Sequence, residues 1–110
     1  MEKNNNLHAA STFHISEVAI INDPSVVPIL FHEKKQMLLS LIIPEEKTII
    51  DIKNITKMNP GTIKRHLDDL VKKNLAVQSR FFTNEFGIKM KYYRAVARKF
   101  LVQIEWPSSS

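Results

Sequence analysis

The most regular pattern of apolar and polar positions runs through residues 48–74, where it predicts two short helices joined by a tight turn. In the first helix the apolar residues recur at helical spacing: Ile49, Ile52 and Ile55. Thr48 precedes this run and Asp51 lies three positions later, a capping-box pattern whose side chains satisfy amides that no earlier turn can reach. The pattern stops at residues 57–59 and indicates a turn of about three to four residues.

A second amphipathic helix is predicted to begin at Asn59 and Pro60, because Asn is a strong N-cap and Pro at the first helical position loses only an orphan amide. Its apolar residues fall at i, i+4, i+7 and i+8: Ile63, Leu67, Leu70 and Val71. The other positions are polar and mostly basic. A helix-turn-helix needs this division, since its second helix packs on the protein and enters the DNA major groove with its N-terminal end foremost. For this pattern alone, an ordinary helical hairpin with a solvated charged face is the alternative.

Two alternating runs follow, residues 75–82 and 88–96, and they predict a β-hairpin. A polar turn containing Gly87 separates them, and Asn74 suits the left-handed position that commonly ends a helix. Lys89 and Lys91 give the second run a basic face. This order of elements is that of a winged helix. We therefore predict an α+β fold, a winged helix-turn-helix with roughly three to five short helices followed by a two- or three-stranded antiparallel wing sheet.

Upstream of this unit, the spacing of Ile15, Val18 and Ile21 predicts a short helix that ends near residue 22. Asp23 and Pro24 then offer another pair of N-cap and first helical residue, which starts a short segment. A further helix is expected over residues 33–43, ended by Pro44. Its predicted core face is Met37, Leu38, Leu41 and Ile42, and its predicted solvent side is Glu33, Lys34, Lys35 and Gln36.

Residues 97–106 could form a helix, but their strict alternation favours a third strand. The alternating apolar residues are Phe100, Val102, Ile104 and Trp106. Such a face needs a cover, either from this chain's own sheet and first helix or from a second copy. The domain is predicted to span residues 15–106, between a flexible polar arm at residues 1–14 and a frayed tail at residues 107–110.

The composition supports a single intracellular domain. A length of 110 residues is enough for one core, and the lack of cysteine excludes disulfides, thiolate metal sites and cysteine nucleophiles. His8 and His14 have no partner at ligand spacing and are interpreted as surface residues rather than metal ligands. No apolar run is long enough to span a membrane and the N-terminus lacks a signal-peptide core, so a soluble, cytoplasmic protein is expected.

The charge is concentrated in the second half of the chain. The net charge is +5, yet residues 60–99 hold ten Lys and Arg against three acidic residues, which gives +7 for that segment. Residues 1–59 carry a net −1. A basic excess in the predicted recognition helix and hairpin is expected where a polyanion docks, because phosphate contacts dominate affinity for nucleic acid.

Residues 23–100 resemble the ArsR-like winged-helix transcriptional regulators, especially plain archaeal members without an obvious sensor site. The matching residues are Asp23 and Pro24, the stretch EKKQMLLSLI, the run MNPGTIKRHLDDLVKKNLAV and the stretch YYRA that ends the hairpin. The resemblance implies a sequence-specific DNA-binding protein, commonly a homodimer on a palindromic operator. Metal sensing is not carried over, because this chain lacks the cysteines and the C-terminal carboxylate and histidine set of the sensing relatives. The family's long C-terminal dimer helix is also absent, so a dimer would use the N-terminal helix and the C-terminal segment.

The predicted contacts with double-stranded DNA come from a recognition helix at about residues 60–73 in the major groove and a wing at about residues 76–96 on the backbone or minor groove. The candidate DNA-binding residues are Asn59, Gly61, Thr62, Lys64, Arg65, His66, Lys72, Lys73, Arg80, Lys89 and Lys91. Thr62, Lys64 and Arg65 are placed near base edges, and the other basic residues on phosphates. His66 either contacts a phosphate or packs beside the turn, and both interpretations stay open.

Two other binding functions compete with this one. Winged helices also serve as protein–protein interaction modules, and a non-specific architectural nucleic-acid binder could stack bases on exposed aromatic residues, for which Tyr93 and Phe86 are the candidates. An enzyme is not expected, because no phosphate loop, nucleophile and base pair or metal cluster is visible and no catalytic residue is assigned. Neither a cofactor nor a metal is predicted.

Overall fold

The structure, a computed structural model, describes residues 13–107. The predicted arm lies almost entirely outside the described residues, as do residues 108–110 of the predicted tail. In chain order the elements are β1 (Ser16–Ile21), a 3-10 helix (Pro24–Val26), α1 (Val27–Leu30), α2 (Glu33–Leu41), α3 (Ile49–Thr56), α4 (Pro60–Lys72), β2 (Ala76–Thr83), β3 (Lys89–Ala95) and β4 (Ala97–Val102).

The predicted fold class is confirmed: the chain is an α+β winged helix-turn-helix. Helices α3 and α4 form the helix-turn-helix, and β2 and β3 pair in antiparallel register as the wing. Lys47, just before α3, makes an isolated antiparallel bridge to Tyr93 in β3. Its amide donates to the Tyr93 carbonyl at 3.0 Å and its carbonyl accepts from the Tyr93 amide at 2.8 Å. The wing is thereby joined to the segment that leads into the helix-turn-helix.

The helix boundaries follow the predicted caps. The Thr48 hydroxyl accepts from the Asp51 amide at 3.1 Å, and the Asp51 carboxylate accepts from the Thr48 amide at 2.9 Å, which completes the capping box. The turn after α3 passes through Lys57 with a φ of 64°. Asn59 then caps α4 by accepting from the Gly61 amide at 2.8 Å. Asn74 ends α4 in the left-handed conformation predicted for it, with a φ of 62°.

The core lies between α2, α3, α4 and the base of the wing. Its largest fully buried side chains are Leu38, Ile42, Ile52, Ile63, Leu67, Leu70, Leu75 and Tyr93. The apolar stripe predicted for α4 is thus confirmed, with Val71 partly buried at its margin. Tyr93 was expected on the surface, and that expectation is wrong, because its ring fills the junction between the wing and the helices.

The helix predicted from Ile15, Val18 and Ile21 is wrong, because residues Ser16–Ile21 form strand β1. This strand pairs in parallel with β4, and Ser16 lies opposite Ala97. The β-branched residues Val18, Ile20 and Ile21 favour an extended backbone once such a partner is available. Spacing within the segment could not reveal a partner so far along the chain.

The C-terminal strand is confirmed, but it does not extend the wing. Strand β4 ends at Val102 rather than near Trp106, and it belongs to a separate two-stranded parallel sheet with β1. In the wing, the register shifts between Gln78 and Arg80, so the alternation predicted for β2 is interrupted there.

The faces of α2 also differ from prediction. Lys35 is buried rather than solvated, because its ammonium lies 3.3 Å from the Asp69 carboxylate of α4. Leu39 is buried, whereas Met37, predicted to face the core, is exposed. The buried side of α2 therefore runs through Lys35, Leu38, Leu39 and Ile42, and an ion pair with a neighbouring helix compensates the one charge on it.

The central position of α3 generates a stability prediction. Ile52 is 0% exposed and Ile55, one helical turn on, is 53% exposed. Ile52→Ala should lower the free energy of unfolding by ~2–5 kcal/mol, since it removes buried methyl groups and leaves a cavity. Ile55→Ala should cost below ~1 kcal/mol. Urea unfolding followed by circular dichroism measures both, and equal losses would contradict the described orientation of α3.

Candidate nucleic-acid interface

The outer face of α4 carries the residues predicted to read bases. Lys64 and Arg65 are exposed and Thr62 is half-buried, while Ile63 and Leu67 on the opposite face are fully buried. The packing of the inner face therefore fixes which side chains the helix presents outward. Asn59 and Gly61 are exposed at the N-terminal end of the same helix, where Asn59 caps the first turn.

The two cations of this face are not equivalent. The Lys64 ammonium lies 2.8 Å from the Asp68 carboxylate one turn along α4, and this hydrogen bond raises the pKa of Lys64. Arg65 is exposed and has no ion pair or hydrogen bond within residues 13–107. A guanidinium that is free of an internal partner keeps its fork of donors available for a bidentate contact.

A cleft between α4 and the wing contains lysines from distant parts of the chain. Its volume is about 280 Å³. Residues from the start of α3, from α4 and from β3 line it: Thr48, Ile49, Ile50, Lys64, Lys89, Met90, Lys91 and Tyr93. Lys64, Lys89 and Lys91 thus surround one concave surface. This surface, which we call the basic cleft, has the charge expected opposite a phosphate backbone.

Arg80 lies elsewhere. Its guanidinium donates to the Glu46 carboxylate and stands 3.9 Å from the centroid of the Tyr92 ring. It lines a separate open cleft of about 650 Å³ with Tyr92 and Arg94. The structure therefore does not bring Arg80 together with Lys89 and Lys91, and its charge is engaged within the protein.

Lys72 and Lys73 lie at the C-terminal end of α4. Lys72 is exposed, and the Lys73 ammonium donates to the Ser25 hydroxyl at 3.2 Å. Lys72 lies ten positions after Thr62 on the helix, which corresponds to ~15 Å at 1.5 Å per residue. The two lysines are thus well away from the N-terminal end of α4, and any contact of theirs with DNA is expected at the backbone.

His66 lies on the inner side of α4. It is 8% exposed, and its ring centroid is 5.2 Å from that of His32. Its Nδ1 is buried without a hydrogen-bond partner within the described part of the chain. Burial lowers the pKa of His66, and the nearby positive groups Lys35, His32 and Arg65 lower it further. These surroundings favour the packing interpretation over a phosphate contact.

Sequence reasoning missed two features of this region. Lys57 is exposed in the turn ahead of α4, and Ile50 lines the basic cleft although it is 47% exposed. The sequence feature that could have identified Lys57 was its place in the turn between the two helices. No signal marked Ile50, because its position depends on where the wing packs.

Residues 32–77 match the family model described as Bacterial regulatory protein, arsR family. The match runs from the N-cap of α2 through α3 and α4 to the start of β2, and it covers less than half of the chain. It supports an ArsR-like helix-turn-helix domain and a DNA-binding transcriptional regulator. The matched family is one of regulators rather than enzymes. No curated protein matches the chain significantly.

Two further observations describe residues 13–107. No helix there is long and apolar enough to cross a lipid bilayer. In the same range, no three His, Asp or Glu side chains are grouped closely enough to hold a metal ion.

The burial of His66 generates a prediction on pH. Because the folded protein lowers the His66 pKa below its ordinary value of 6.5, the unfolded chain binds this proton more readily. The stability that follows from this difference in pKa is present in full above pH 6.5, and it is lost as the pH falls through the lowered pKa of His66. Wild-type protein should lose more free energy of unfolding than His66→Gln between pH 8 and pH 5.5. Urea unfolding at both pH values measures this, and parallel losses would contradict it.

Proposed function

We propose that this protein is a sequence-specific double-stranded DNA-binding transcriptional regulator, with α4 in the major groove and the wing on the backbone or minor groove. The observation that carries the proposal is the combination of Arg65, which is exposed on α4 and has no ion pair or hydrogen bond within residues 13–107, with the basic cleft between the same helix and the wing. Base readout needs a free donor set, and register needs cations on phosphates. The match to arsR-family regulators supports the same function.

In this proposal Arg65 reads a guanine through its two parallel donors. Thr62 and Lys64 contact neighbouring base edges, and Lys64 exchanges Asp68 for DNA as it does so. Lys89 and Lys91 bind phosphates and fix the register of α4. Lys57 and Lys72 extend the backbone contacts at either end, while His66 and Arg80 serve packing and the stability of the wing.

Fluorescence anisotropy with a duplex of the protein's own promoter and a scrambled duplex, between about 50 and 300 mM salt, tests the function. A preference of ~1,000-fold or more with a steep salt dependence is expected for a specific regulator. A steep salt dependence without a preference for the promoter would instead indicate a non-specific architectural role. No binding to either duplex would replace it with a protein-interaction module.

The division of roles gives a mutational prediction. Arg65→Ala should weaken promoter binding by ~5–150-fold and leave scrambled DNA nearly unchanged, because it removes a base contact. Lys89→Ala should weaken both duplexes alike and reduce the salt slope by ~1, because it removes a phosphate contact. Lys34→Ala removes an exposed charge from α2 and is the control. Equal, sequence-independent losses from Arg65→Ala and Lys89→Ala would refute the assigned roles.

We also propose that two copies associate through the outer face of the β1–β4 sheet. The face carries Val18, Ile20 and Leu101, which are each about half exposed, and directly paired residues such as Ile20 and Leu101 share it. Parallel sheets are normally covered on both faces, and a two-stranded sheet alone is only marginally stable in water. A second copy offers the same patch, as a twofold dimer requires. This sheet takes the place of the N-terminal helix expected from sequence.

A matched pair of isoleucines tests the association. Ile20 is 51% exposed on the sheet and Ile55 is 53% exposed on α3. Ile20→Glu should raise the dimer dissociation constant by at least ~100-fold, since it would bury a carboxylate from each copy in an apolar contact. Ile55→Glu should not change it. Light scattering after gel filtration, across a range of concentrations, reports the mass, and a dimeric Ile20→Glu variant would refute this interface.

A regulator of this kind acts where the chromosome is, so we place the protein in the cytoplasm. We propose no metal, cofactor or catalytic residue for it. A twofold dimer presents two recognition helices, and such dimers read half-sites about one helical turn apart, ~34–36 Å. The operator is therefore expected to be an inverted repeat.

A further inference from the structure

The tip of the wing carries two exposed apolar side chains. Phe86 is 78% exposed and Ile88 is 57% exposed, at the loop that joins β2 to β3. Single exposed apolar residues are common on protein surfaces and mean little alone. Three further features indicate a function for these two side chains: the fixed conformation of the loop, the length of the hairpin and the positive charge around the tip.

The loop is held in one conformation by Asn84. Its side-chain oxygen accepts from the Phe86 amide at 2.9 Å and from the Ile88 amide at 3.0 Å. Its backbone amide donates to the Ile88 carbonyl at 2.9 Å and its carbonyl accepts from the Gly87 amide at 3.0 Å. Gly87 supplies the positive φ, 77°, that closes the turn. Phe86 is therefore presented on an ordered backbone, and insertion of its ring would require little further ordering of the loop.

The hairpin has the length needed to reach an adjacent minor groove. Tyr93 marks the point where β3 meets the core, and Ile88 lies five positions before it. At ~3.4 Å per residue, the strand extends ~17 Å beyond the body of the domain. Half of a ~34 Å helical turn is also ~17 Å, which is the separation between a major groove and the neighbouring minor groove along the duplex.

The approach to the tip is basic. Lys89 and Lys91 follow Ile88 directly on β3 and line the basic cleft with Lys64. The Lys89 ammonium stands 4.2 Å from the centroid of the Phe81 ring, so an aromatic surface holds this cation beside the tip. Glu85 is the one acidic residue between Thr83 and Lys91. An apolar tip with cations behind it matches a groove whose floor is bases and whose walls are phosphates.

We propose that the wing tip is an apolar wedge: Phe86, backed by Ile88, enters the minor groove next to the major-groove site, partly unstacks a base step and bends the duplex. The proposal rests on the DNA-binding function proposed above and adds to it a preference for DNA shape. Pyrimidine–purine steps such as TA unstack most easily. The operator should therefore contain such a step about half a turn from the bases that α4 reads.

The test uses the full-length protein and a 30-base-pair duplex of its own promoter with a donor and an acceptor dye at opposite ends. Wild-type protein should raise energy transfer on binding, because a bend shortens the distance between the ends. Phe86→Ala should weaken binding by ~10-fold, within the range for loss of one stacked base, and should abolish the rise in transfer at saturation. Phe86→Leu should retain most of the bend, because leucine also serves as a wedge.

Phe31→Ala is the matched control, since it removes another exposed phenyl ring, 60% exposed, beside β4 rather than on the wing. It should bind and bend DNA as wild type does. A minor-groove-binding polyamide should weaken wild-type binding to the level of Phe86→Ala and leave that variant unaffected. Tight wild-type binding with no change in transfer, or Phe86→Ala within twofold of wild type, overturns the wedge and leaves the regulator function standing. Failure of the wild type to bind any duplex instead overturns the function on which the wedge rests.

Discussion

The structure depends first on the burial of one face of α4. Ile63, Leu67 and Leu70 are fully buried, and this packing fixes the rotation of the helix about its axis. A shift of one residue would turn the helix by ~100°, and in one direction it would put Arg65 in the place of His66, which is 8% exposed and where the guanidinium would be poorly solvated. The apolar stripe is thus the reason that a cationic face exists at all. The cations proposed to contact DNA are therefore held outward by the packing of the core.

A second constraint joins the wing to that helix. The backbone of Lys47 pairs with Tyr93, whose ring is buried among the helices. This pairing joins β3 to the segment that leads into α3, and the basic cleft is lined by residues from the start of α3, from α4 and from β3. Arg80 serves the same end from the other side of the wing, because its ion pair with Glu46 ties β2 to the segment ahead of α3. In the basic cleft, Lys64 is far in sequence from the other two lysines, and they become neighbours because of contacts that other residues make.

The features that sequence predicted are those encoded over a few residues. The capping box, the Asn59 cap and the left-handed Asn74 need only near neighbours, and all three were predicted and observed. Features that depend on distant partners were not predictable from spacing. Strand β1 looked helical because its partner lies at the other end of the chain, and Lys35 looked solvated because Asp69 belongs to another helix. The arrangement of cations around the basic cleft also depends on contacts between distant residues. The composition therefore indicated a polyanion partner, but only the structure shows which residues form the surface.

The parallel pairing of β1 with β4 also determines the order in which the molecule can be assembled. Ser16 pairs with Ala97, 81 positions later, so this sheet closes nearly the whole chain into one loop. Contacts of such long range form late, after local helices and hairpins have reduced the entropy of closure. At ~5–20 residues per second, a ribosome needs roughly 4–16 s to pass from β1 to β4. During that interval β1 has no strand partner, and the helical centre of the chain can fold without it. We therefore expect the β1–β4 sheet to form after the helices and the wing, and any association through it to follow the synthesis of β4.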